Sequence, residues 1–143
     1  MYIDANLLLS DAQALTSTAA STNVIDFGGT GYGMGEPLAV ILALDVGTDG
    51  TTGDETYSIA MQFDDNSSFS SAATAVTFTI ARSTAAGTML AYPLPGHYSA
   101  SERYLRLNYT LGGTTPTVTV TAFVAPLSGF QSYTAFPDGF TIS

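Results

Sequence analysis

The residues that could do chemistry are few. One histidine, His97, sits in PLPGHYSAS with Ser99 and Ser101 nearby. A histidine beside serines is the material of acyl transfer, given an acid to orient the ring. The segment reads as a turn, however, and not as a nucleophile elbow, so His97 is expected to be a surface residue. A second group is acidic: Asp45, Asp49, Asp54 and Glu55 flank the turn GTDGTTG, and Asp64-Asp65-Asn66 opens another. Calcium takes six to eight oxygen ligands, which loop carboxylates supply. The spacing fits no EF-hand, and aspartate also closes turns with its own side chain. Paired carboxylates are also the machinery of glycoside hydrolysis. These sit in turns, and the chain has no tryptophan to stack a sugar ring. The glycine run GGTGYGMG, residues 28–35, leads into a proline and a strand pattern. A phosphate cradle needs a helix N-terminus there, so the run is read as an inter-strand loop. No catalytic residue, metal site or cofactor is assigned, and the chain is read as a non-enzyme.

The remaining candidates are cations and apolar ends. The three basic residues are all arginines, Arg82, Arg103 and Arg106, against 12 acids, for a net charge of −9. Such a chain repels phosphate backbones, which argues against nucleic acid as a partner. Arg106 shares a strand face with Tyr104 and Asn108. Arginine and tyrosine are enriched at interface hot spots, so Arg103 and Arg106 are candidate interface anchors, with pairing to a turn acid as the alternative. The ends carry Leu7, Leu8 and Leu9 on one side and Phe130, Tyr133, Phe136 and Phe140 on the other. Apolar groups exposed together mark interaction sites. These ends are therefore expected to form contacts within a homo-oligomer and with a larger partner, unless they fold back over open sheet edges.

The elements that must position these residues are strands. At 143 residues the prior is one domain. An apolar share of 45% supports a core without disulfides, and there is no cysteine to form them. No apolar run reaches the ~18 residues of a membrane-spanning helix, and no basic leader segment opens the chain; it is read as soluble, with no membrane partner. Large residues alternate in Tyr57-Ser58-Ile59-Ala60-Met61-Gln62-Phe63, in Val76 to Ile80, in Leu105 to Tyr109 and in Val118 to Ala122, with threonine on the opposite face. That is the period of a half-buried antiparallel sheet. Pro37 to Val46 is nearly apolar on both faces and reads as a central strand. Turn clusters then give strands near 22–27, 36–46, 56–63, 74–82, 88–93, 103–110 and 117–125. Ser10-Asp11-Ala12-Gln13 fits a capping box and predicts one helical turn at 11–15. The expected architecture is a single all-β domain over 1–143, a two-sheet antiparallel sandwich of jelly-roll order. Residues 1–21 would be an arm, 22–125 the sandwich and 126–143 a tail. Its core is predicted to hold Val40, Leu42, Leu44, Ile59, Met61, Val76, Phe78, Ile80, Leu105, Leu107, Val118 and Val120.

With these segments placed, SDAQ (Ser10 to Gln13), STNVIDFG (Ser21 to Gly28), GEPL (Gly35 to Leu38), RYLRLNY (Arg103 to Tyr109) and TVTVTA (Thr117 to Ala122) follow one another in the order and spacing of a known family. The chain resembles the jelly-roll capsid cement, or decoration, proteins of tailed bacteriophages, from residue 7 to about 125; the middle, 47–88, matches only in character. The resemblance implies a structural virion protein on the outer surface of a phage head, made in the host cytoplasm. Its partners would be the major capsid protein and itself, as a homo-dimer or homo-trimer. The family has no catalytic residues to carry over. The alternative reading is a carbohydrate-binding β-sandwich module of a secreted or fibre-like assembly.

Overall fold

A computed structural model of the protein describes residues 3–28, 37–95 and 100–128. Nine strands run through them: β1 Leu8–Leu15, β2 Ala19–Ala20, β3 Ile25–Asp26, β4 Leu38–Val46, β5 Thr56–Asp64, β6 Ala73–Ile80, β7 Met89–Pro93, β8 Tyr104–Gly112 and β9 Val118–Pro126. They form two antiparallel sheets. Sheet A has the order β1-β9-β4-β7, and sheet B the order β2-β8-β5-β6, with β3 also on β8. The chain crosses between sheets at nearly every connection, and only β5 and β6 are hairpin neighbours in one sheet. This is the jelly-roll order, the two-sheet solution for a chain of short antiparallel strands.

Alternation explains which residues lie between the sheets. Tyr57, Ile59, Met61 and Phe63 point inward from β5; Leu105, Leu107 and Tyr109 from β8; Val118, Val120, Ala122 and Val124 from β9; and Val40, Leu42 and Leu44 from β4. Leu107 pairs with Met61 across β8 and β5, and both are fully buried. Of the predicted core, Val76 is the exception. It is 38% exposed, although it faces the interior in register with Met61. β6 is the edge of its sheet, and the facing sheet reaches it at Phe78, whose ring stacks on Tyr92 of β7 at 3.5 Å.

The N-terminal region departs most from expectation. Residues 8–15 are neither an arm nor a helical turn: they form β1, paired to β9 from Leu8–Phe123 to Leu15–Val118. The capping-box residues build an irregularity in that pairing instead. The register shifts on either side of Ser10, and Ala12 adopts a left-handed φ of 44°. The Ser10 hydroxyl donates to Gln13 Oε1 at 2.7 Å, which leaves the Tyr109 hydroxyl to donate to Ser10 Oγ at 2.8 Å. Gln13 also holds the next stretch of chain, accepting from the Thr22 N–H and donating to the Ala20 carbonyl. Ser21 closes the set: its Oγ accepts from the Leu107 N–H, and its own N–H donates to the Leu107 carbonyl. A cap would use Ser10 to satisfy a helix N-terminus; here the same side chains satisfy one another and a strand about a hundred residues away. Residues 8–20 therefore belong to the sandwich, which begins at β1 and ends at Pro126 of β9.

The end of the sandwich that gathers 47–55, 81–87 and 113–117 is closed by turn hydrogen bonds. The Tyr57 hydroxyl lies between the Asp49 and Thr117 carbonyls, 3.1 Å from each. Gly113 has a φ of +90°, and a Cβ there would run into the Asp54 carbonyl; this turn between β8 and β9 needs glycine.

Candidate interaction surface

Two surfaces lie outside the core, one on each sheet, and they differ in kind. Along β4 and β9, alternation puts Ala39, Ile41 and Ala43 beside Thr121, Phe123 and Ala125 on the outer side of sheet A. At one end of that face Ala39, Ile41, Phe123 and Ala125 form a second apolar cluster, with Leu8, Ala91 and Leu127 packed against it. Ile41 is 0% exposed and Phe123 2%, values of a core although they lie on the far side of the sheet from it. Towards the other end the face turns polar: the Thr121 hydroxyl donates to Asp45 Oδ2 at 2.6 Å.

The outer side of sheet B is largely polar. Arg106, Asn108 and Thr110 of β8 lie in register with Gln62, Ala60 and Ser58 of β5, and Thr74, Thr77 and Thr79 of β6 continue the row. Arg106 Nε donates to Gln62 Oε1 at 2.9 Å, and its guanidinium lies 4.4 Å from the centre of the Phe69 ring. Phe69 is held there in a left-handed turn, φ 52°, and is itself buried. At the margin of the same sheet Arg103 grips Asp26 with two hydrogen bonds, 2.7 and 2.8 Å. That contact, with the Gly28 N–H, pulls the Asp26 carboxyl down to about 2 from its ordinary 3.8. Both partners are substantially exposed, so solvent screens the pair and its contribution to stability is small.

The predicted interface residues are thus divided. Leu9 is fully buried inside its own chain and is unable to serve as a contact for a partner. Leu7 is half-buried against the main core, and Leu8 packs on the outer cluster of sheet A. Arg106 points out from sheet B, so Leu8 and this arginine are on opposite sides of the sandwich. Phe130, Tyr133, Phe136 and Phe140 lie outside the described residues, as does His97. Sequence reasoning missed Ile41 and Phe123 as a second cluster. The signal was there: the Val/Thr alternation of β9 lapses at Ala122-Phe123-Val124-Ala125, just where β4 is apolar on both faces.

The acidic turns are self-satisfied. Asp49 accepts from the Thr51 hydroxyl and from the N–H groups of Thr51 and Gly50. Asp54 accepts from Thr114 and Thr52. Glu55, only 2% exposed, takes the Thr52 hydroxyl and the Thr52 and Gly53 N–H groups. These bonds hold all three carboxyls below their ordinary values, chiefly through the Thr51 hydroxyl for Asp49, the Thr114 N–H for Asp54 and the Thr52 hydroxyl for Glu55. Among the described residues no group of three or more histidines and acids is placed to hold a metal ion, and no helix is long and apolar enough to cross a membrane.

The molecule is therefore a jelly-roll β-sandwich whose distinctive features are two unlike outer faces. Its sequence matches the model of the Bbp16 family over residues 9–125, from β1 to the penultimate residue of β9, and the chain belongs to that family. No curated protein matches it.

Proposed function

We propose that the protein is a capsid cement protein: a structural, non-catalytic virion component on the outer surface of a tailed-phage head, where it bridges neighbouring major capsid protein subunits. One observation carries the reading. The segments that resemble the cement family are far apart in sequence, yet they are hydrogen-bonded to one another: Ser10 of SDAQ to Tyr109 of RYLRLNY, Gln13 of SDAQ to the Thr22 N–H of STNVIDFG, and Ser21 of STNVIDFG to the Leu107 backbone of RYLRLNY. A chance likeness of β-rich strings has no reason to converge on one set of partners. The chemistry is compatible with that setting: an acidic chain, net −9, avoids packaged nucleic acid, and a chain without cysteine has no thiol to oxidise outside a cell. Closed symmetry is the usual state of soluble oligomers, so a dimer or trimer on a capsid symmetry axis follows from the same proposal.

The test mixes purified protein with undecorated heads and counts copies bound per coat subunit. Saturation at a fixed ratio set by the head's symmetry supports the proposal. Absence of binding to heads, together with saturable binding on a glycan array, replaces it with the carbohydrate-binding alternative.

A further inference from the structure

An edge strand presents a row of unpaired N–H and C=O groups, and proteins blunt such edges with short strands, bulges, proline or charge. Three of the four edges here are blunted in this way. β2 and β3 are two residues each, β1 carries register shifts on either side of Ser10, and β7 is five residues long and ends in Pro93. β6 is different. It runs for eight residues, Ala73–Ile80, without a charge, a proline or a glycine, and it is exposed from Ala73 to Thr77. Its one irregularity, at Ala75, leaves Val76 to Ile80 in regular pairing with β5. The sandwich is also open along this rim. Val76 faces the interior yet is 38% exposed, and Leu90 and Tyr92 of the facing β7 are only half-buried.

We propose that β6 pairs antiparallel with β6 of a second copy, about a two-fold axis at Phe78, so that the two B sheets become one. The regular stretch Val76 to Ile80 is centred on Phe78. A two-fold there sets Val76 of each copy opposite Ile80 of the other, and Thr77 opposite Thr79. Such cross-strand pairs of β-branched residues are stabilising, and the contact covers the Val76 side chain that one chain leaves open. Charge selects the orientation. Arg82, just beyond the end of β6, is exposed and is paired with no acid among the described residues. The other two arginines are engaged, Arg103 by Asp26 and Arg106 by Gln62. Asp65 is exposed in the turn that precedes the other end of β6. Antiparallel pairing brings the Arg82 end of each copy to the Asp65 end of the other, twice, in a pair of chains that otherwise repel at −9 each. The two-fold also uses up both edges, so association stops at a dimer. This dimer makes specific the oligomer of the capsid proposal and rests on that reading only for expecting closed symmetry. It is tested on the protein alone, so its failure is distinct from a failure to bind heads.

Analytical ultracentrifugation of the full chain is compared with Val76→Lys and with a control, Val46→Lys, which makes the same change at an exposed valine of β4. Circular dichroism confirms folding of each. The full chain and the control should sediment as dimers, with association of Val76→Lys weaker by about tenfold or more, because lysine on an edge opposes strand pairing. The absence of cysteine gives a second assay. Thr77→Cys and Thr79→Cys sit at exposed positions of β6. Mixed and oxidised, the two variants should form a disulfide-linked heterodimer. Each alone should cross-link far less, because the pairing sets 77 opposite 79 and holds like positions beyond the ~7 Å Cα separation that a disulfide bridges. Should Val76→Lys fail to fold, the cross-linking decides by itself. A full chain that is monomeric at every concentration, a trimer, a dimer that folded Val76→Lys leaves intact or that Val46→Lys weakens equally, or a heterodimer that forms no faster than the self-cross-links, overturns the proposal.

Discussion

The two outer faces of the sandwich are built on the same alternation and come out opposite. On sheet B the outward residues of β5, β6 and β8 are mostly serine, threonine, asparagine, glutamine and arginine, with Tyr104 at one end, and the face is largely polar. On sheet A the same period delivers Ala39, Ile41, Phe123 and Ala125, and the face is as dry as the core. A β-sandwich needs only one buried face per sheet. Sheet A has a second apolar cluster on its outer side, whereas sheet B offers a largely polar side there.

The sharpest way to break this comparison is one charge on each face. Ile41→Asp puts an unpaired carboxylate into a dry cluster and should destabilise by more than about 3 kcal/mol, enough to prevent recovery of folded protein. Thr77→Asp on the outer side of sheet B should stay within about 0.5 kcal/mol, as an exposed substitution does. The yield of folded protein, and denaturant titration of whatever folds, decide; equal effects would mean the faces do not differ. Next in size are truncations. Leu107→Ala, between the sheets, should cost about 2–5 kcal/mol. Ile41→Ala should fall in the same range, because Ile41 is as dry as the core residues.

How much of this was legible in the sequence depends on the range of the interactions. β4 could be read as central and doubly buried because Leu38 to Leu44 is apolar at every position, and it does lie between β9 and β7. The strands expected at 56–63 and 103–110 from alternation and turn spacing lie within one or two residues of β5 and β8. Ser10 to Gln13 misled because the capping box is a local rule, while the partner that decides its conformation, Tyr109, is 99 residues away. Val76 misled because alternation says which side a residue faces, not whether anything stands opposite. The stacking of Arg106 on Phe69 was illegible: nothing in DDNSSFSS shows that its phenylalanine turns back under a strand from another part of the chain.

Tyr109→Phe tests that long-range network. It removes the donor to Ser10 Oγ and should cost about 1–2 kcal/mol, read as a shift of the urea midpoint with unchanged slope. A neutral result would mean the network does not hold β1 to the sandwich.

Acid acts more gently, and on the loops rather than on the dry face. Asp26, Asp49, Asp54 and Glu55 all have carboxyls depressed in the folded protein. Their contribution is full above the unfolded values of 3.8 for aspartate and 4.5 for glutamate and is lost as pH falls through the folded ones, about 2 for Asp26. The melting temperature should therefore decline steadily below pH 4.5, and Arg103→Ala should flatten the lowest part of the curve by freeing Asp26. A melting temperature that rises on acidification would contradict these assignments. The smallest expected effect is that of EDTA: with the turn acids engaged by threonine hydroxyls and backbone N–H groups, chelation should move the melting temperature by less than about 2 °C.

The central claim is that this jelly roll bridges coat subunits on a phage head. Electron cryomicroscopy of undecorated heads incubated with an excess of the protein tests it most directly. The account predicts added density on the outer surface, with the shape of this sandwich, at symmetry-related sites that straddle the boundary between neighbouring coat subunits. Heads without added density, or density seated within a single subunit, would contradict it.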